Sequence, residues 1–163
     1  MNKNISLALF LLITYSASGT SDEHGFSGMW VLDKRSPRPG NAPSSMETRI
    51  KLKGSSVTIE STFSEPANGI VPLLYLGVMT TKLSLTMDGR EQENSVGPFD
   101  IQSKTTFDGK QMLTDWIATI LGEQVQGHWT HRLSDDARHL ILEIREISAH
   151  GQHGEAILYF VRK

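Results

Sequence analysis

Six histidines and eighteen acidic side chains in 163 residues, with no cysteine, define the chemistry open to this chain. Without cysteine there is no thiol nucleophile, no disulfide and no zinc–thiolate site. Four histidines fall in two close pairs, His128/His131 and His150/His153. A spacing of three on a strand puts His128 and His131 on opposite faces, so they cannot share an ion without a bulge. His150 and His153 sit in the glycine-rich stretch His150–Gly154, and His24 near the N-terminus. Zinc needs three or four converging ligands, and no metal site or other cofactor is expected. Nor is a catalytic set: no Gly-x-Ser-x-Gly elbow occurs, and serines and aspartates cluster where turns are expected. The pairs Asp135/Asp136 and Glu91/Glu93 read as solvated turn and edge positions, and the apolar face described next offers no carboxylate pair for glycosidase chemistry.

The residues that could form a site lie on one hairpin, Gln111–Leu133. A two-residue turn at Gly122-Glu123 would set Ile120 against Val125, Ala118 against Gly127, Trp116 against Trp129, Thr114 against His131, and Met112 against Leu133. All fall on one face, while Asp115, Thr119, His128, Thr130 and Arg132 take the other. The first face is apolar, aromatic and lightly polar, as the inner wall of a barrel or sandwich would be. Here His131 has two readings: a core imidazole hydrogen-bonded to Thr114 or a backbone carbonyl, or a polar anchor in a ligand cavity. Either way burial should lower its pKa.

The elements that must position this wall are strands. Alternating segments recur at Gly28–Asp33, Met46–Lys53, Val57–Phe63, Thr80–Met87, Gln92–Val96, Ile101–Phe107, Met112–Leu121, Val125–Leu133, His139–Ile147 and Ala156–Arg162. Asp88-Gly89 and Asp108-Gly109 mark hairpins, and no stretch shows a useful helical period. Leu140, Leu142 and Ile144 share a face. The last segment is apolar on both faces, as a doubly covered strand that closes a barrel against the first would be. Ser36–Pro43 is a proline-rich loop. Pro66–Met79 is apolar but interrupted, either buried irregular chain or a lid bearing Leu73, Leu74, Tyr75 and Leu76.

Residues 1–20 read as a secretory signal peptide: Lys3, an apolar run from Ile5 to Ile13, then small residues in Tyr15–Gly19. The run is too short to span a bilayer. Its removal leaves 143 residues and, with Lys3 gone, 15 basic against 18 acidic side chains, a net charge of −3. That balance argues against nucleic acid and against anionic membrane surfaces. The expected location is secreted or periplasmic, with no stable membrane anchor after cleavage.

Phe26-Ser-Gly28-Met-Trp30 resembles the Gly-x-Trp signature of lipocalins, and Thr114-Asp115-Trp116 loosely resembles the family's second motif. The larger resemblance is to short exported bacterial lipocalin-like domains. It implies that Trp30 plugs the barrel base and that Arg162 packs across it. The chain departs from lipocalins in having no disulfide and no helix after its last strand.

These readings converge on an all-β chain, an antiparallel meander closing into a single lipocalin-like β-barrel of about eight to ten strands over residues 21–163. The expected function is to hold a small hydrophobic or amphipathic ligand. Trp116, Trp129, Met112, Leu140 and Leu142 supply the apolar wall and His131 with Thr114 the polar contact. The rivals are a solid-cored envelope module working through its loops, and a pocket-using isomerase or cyclase with His131 as its acid or base.

Overall fold

The computed structural model describes residues 23–35, 43–63, 80–96, 98–151 and 153–163. The expected signal peptide, the Pro66–Met79 segment and all of the Ser36–Pro43 loop except Pro43 lie outside them. One helical turn, α1 (Glu23–Phe26), leads into ten strands: β1 (Gly28–Leu32), β2 (Met46–Lys53), β3 (Ser56–Phe63), β4 (Thr80–Thr86), β5 (Asp88–Val96), β6 (Phe99–Phe107), β7 (Gln111–Ile120), β8 (Glu123–Leu133), β9 (His139–Ser148) and β10 (His153–Arg162). Every segment expected to be a strand is one, with ends shifted by a few residues. The single turn of α1 is the one helix among the described residues, where none was expected. No helix there is long and apolar enough to cross a membrane.

The strands form one antiparallel sheet in the order β4-β3-β2-β1-β10-β9-β8-β7-β6-β5. The first strand pairs with the last, Trp30 opposite Arg162, so the meander curls into a nearly closed barrel whose seam lies between β4 and β5. Alternation builds the interior: Ile50, Ile59, Ile101, Trp116, Leu140, Leu158 and Phe160 all point inward and are buried. The last strand is less covered than its sequence suggests. Ile157 faces outward and is exposed, because among the described residues no second layer packs on that face.

The turns correct two expectations. The β7–β8 turn is centred on Leu121-Gly122, with φ of 52° and 84°, the two positive values that a type I′ hairpin needs. Trp116 therefore pairs with Gly127, Thr114 with Trp129, and Met112 with His131. Moving the turn by one residue slides the partner strand by two, so every side chain keeps its expected face. The Asp-Gly pairs are not turn centres of that type, since neither aspartate has positive φ. Asp88 and Gly89 lie at the start of β5, beside a bulge against β6. Asp108 instead accepts the backbone N–H groups of Lys110 and Gln111, both at 2.9 Å, through its carboxylate.

One end of the barrel is plugged. The edge of the Phe26 ring meets Phe107 at 5.7 Å and 86°. The Trp30 indole N–H donates to the Phe26 carbonyl at 2.9 Å, which ties α1 across the base. The Arg162 guanidinium carbon stands 4.7 Å from the Trp30 ring centroid, a cation–π contact, and the same side chain donates to the Gly25 carbonyl. Trp30 and Arg162 thus occupy the base of the barrel.

Candidate functional site

Three rows of inward residues cross β7, β8, β9 and β10 on the wall above this plug. From the base they are Met112–His131–Leu142–Leu158, Thr114–Trp129–Ile144–Ala156 and Trp116–Gly127–Glu146–Gly154. All seven residues expected to line a ligand site (Met112, Thr114, Trp116, Trp129, His131, Leu140 and Leu142) face inward here, and all but Trp129 are buried.

The two tryptophans meet because one of their neighbours has no side chain. A Cβ on Gly127 would lie 2.1 Å from Trp116 Cε2, so the Trp116 ring rests on bare backbone. It is thereby brought beside Trp129, at 5.3 Å between centroids and 48° between planes. The indoles touch along a diagonal rather than directly across the hairpin.

The polar contacts differ from expectation. Thr114 does not bond His131; its hydroxyl shares a hydrogen bond with Thr105 at 3.0 Å, because β6 places Thr105 directly opposite. His131, 4 % exposed, lies between Met112 and Leu142, and its Nδ1 has no hydrogen-bond partner. Desolvation in this apolar setting lowers its pKa to about 4, so the imidazole is neutral at physiological pH. Thr48 and Ser61 pair across β2 and β3 at 3.0 Å, and the Asn94 amide donates to Ser103 at 3.2 Å. The hydroxyls of the wall are thus largely engaged with one another.

Glu146 is the residue that sequence reasoning missed. It is buried and faces inward from β9 beside Gly127, so the inner face does carry a carboxyl group. The signal was present: Leu140, Leu142 and Ile144 set the inward parity, and 146 continues it. Among the described residues no three His, Asp or Glu side chains converge as a metal site. His128 points outward to Asp115, with Nδ1 2.6 Å from the carboxylate, and His150 pairs with Glu123 across 3.1 Å. Two open grooves, of about 560 and 390 Å³, run along the outer surface of β5 to β8 around Gln102 and Ile117.

The seam is closed by side chains. Gln92 Oε1 accepts the Thr86 backbone N–H at 2.6 Å, and Asn94 Oδ1 accepts that of Ser84 at 3.0 Å. Two amides of β5 thereby replace the ladder that β4 and β5 do not form.

Solved structures share this nearly closed antiparallel barrel fold. The chain resembles the REP1-NXSQ fatty acid transporter with a TM-score of 0.55 and 14% identity over 84% of this chain and 95% of that one. A secretary abundant heat soluble (SAHS) protein from Ramazzottius varieornatus aligns with a TM-score of 0.56 and 11% identity over 85% and 96%. Fatty-acid-binding protein 1 from Echinococcus granulosus aligns at 0.52 and 9% over 85% and 98%. No family profile and no curated protein matches the chain.

Proposed function

We propose that this protein binds a small hydrophobic or amphipathic molecule inside its barrel, against a wall made by Trp116, Trp129, Met112, Leu140 and Leu142 with His131 and Thr114 beside it. The observation that carries this reading is the state of Trp129. Its row neighbours Thr114 and Ile144 are 0 % and 3 % exposed on the same inner face, yet Trp129 is only partly buried. An inward indole keeps accessible surface only where the space before it is not filled by side chains. Apolar walls with few polar groups are the usual lining of such sites. The names of two similar structures, a fatty acid transporter and a fatty-acid-binding protein, support a lipid-like occupant.

Export is part of the proposal. The Lys3, Ile5–Ile13 and Tyr15–Gly19 pattern supports a cleaved leader and a secreted or periplasmic barrel of lipocalin-like type. Native mass spectrometry of the protein from its own host tests both points. The expected spectrum shows a polypeptide shortened by about 20 residues, the usual span of such leaders, and a co-purified lipid-like mass. A full-length chain overturns export. A ligand-free protein that also takes up no Nile red overturns the binding reading.

A further inference from the structure

We propose that the polar end of the bound molecule is an uncharged hydrogen-bond acceptor, a carbonyl or ester oxygen received by the indole N–H groups of Trp116 and Trp129. This rests on the reading of the barrel as a container for a hydrophobic ligand, and adds which chemical class it selects.

Three buried polar atoms on one stretch of inner wall have no partner within the protein: Trp116 Nε1, Trp129 Nε1 and His131 Nδ1. Such atoms are rare in folded proteins, where water or a ligand commonly completes them. An indole N–H can only donate, so two of the three require an acceptor. The rings are 5.3 Å apart between centroids, and His131 follows Trp129 by two residues on the same face, about 7 Å along the strand. The three atoms therefore lie within one small region of the wall. Neighbouring hydroxyls do not compete for the ligand, since Thr105 and Thr114 are bonded to each other.

The charge of the interior selects against an anion. Among the described residues the buried polar side chains are five hydroxyls, one imidazole and one carboxyl, with no Lys or Arg. A fatty-acid carboxylate drawn into this wall would lose its hydration without meeting a cation there. It would also come beside Glu146, which flanks Gly127 opposite Trp116. An ionised Glu146 would repel such an anion more strongly than it would a neutral oxygen.

Competition for bound Nile red on the purified, delipidated chain tests this, using methyl decanoate, decanoate and undecane near neutral pH. Methyl decanoate is expected to displace the dye, with decanoate weaker by tenfold or more. Trp116→Phe and Trp129→Phe keep an aromatic ring, shed some apolar surface and remove the donor. Each is expected to weaken methyl decanoate roughly fivefold more than it weakens undecane, the usual worth of one hydrogen bond. Decanoate binding as tightly as its ester, or equal losses for ester and alkane in the variants, overturns the acceptor assignment while the container stands. Failure of the dye and all three probes to bind overturns both. Should one variant fail to fold, the other and the wild-type comparison of ester with acid decide the matter.

Discussion

At the scale of single residues, the inner wall is governed by what burial does to polar groups. His131 shows it most sharply. Its pKa falls from 6.5 to about 4 because the charged imidazole is desolvated, so between those values the unfolded chain binds a proton that the folded one refuses. Stability is then complete above pH 6.5 and falls as pH drops toward 4, by on the order of 3 kcal/mol. Urea unfolding at pH 7 and 4.5 should show this loss in the wild type, and His131→Leu should remove it. Asp88, Asp108 and Asp136 act in a lower range. Their turn hydrogen bonds hold their carboxyls below the usual 3.8, so what they contribute is lost only in stronger acid. The inward set of side chains was legible in the sequence because parity alone decides it. Their partners were not, because a partner depends on which strand stands alongside: Thr114 was drawn to Thr105 by β6, a strand separate from the hairpin that first suggested His131.

At the scale of elements, turns and the seam are where local rules meet the demands of the fold. Leu121 holds φ at 52° and is 86 % exposed, a conformation costing a branched L-residue about 1 kcal/mol with no burial in return. Leu121→Asn is expected to stabilise the hairpin by about 0.5–1 kcal/mol, seen as a melting temperature raised by a few degrees. This leucine is also why the turn was misplaced from sequence. Glycine at the first central position is the type II′ pattern, and nothing local announces that a leucine takes the place usually held by Asn or Asp in type I′. The seam gives a second expectation. Gln92→Ala and Asn94→Ala remove the acceptors of the Thr86 and Ser84 amides. Hydrogen exchange at those two amides should accelerate by about tenfold, while Ile50 and Ile59 in the intact β2–β3 ladder keep their protection. Equal acceleration in both places would mean that the amides support the whole barrel and not its seam alone.

For the whole molecule, the sequence carried the architecture well. Ten alternating segments with turn chemistry between them leave little but a meander, and the apolar last strand pointed to its pairing with the first. The exposed outer face of that strand shows the limit of composition, which reports that a residue is apolar but not whether anything covers it. Closure at the base is one expectation at this scale. Arg162 stacks on Trp30 and bonds the Gly25 carbonyl, so Arg162→Leu should lower unfolding free energy by about 1–2 kcal/mol in urea titrations, with Arg162→Lys recovering only part. The bond from Arg162 to Gly25 spans 137 positions of sequence. A nascent polypeptide leaving the ribosome therefore cannot complete the latch on its base tryptophan until Arg162 has been made, and contacts between such distant partners form slowly. The lateness of that one handshake leaves the base of the barrel unlatched until its last strand has emerged.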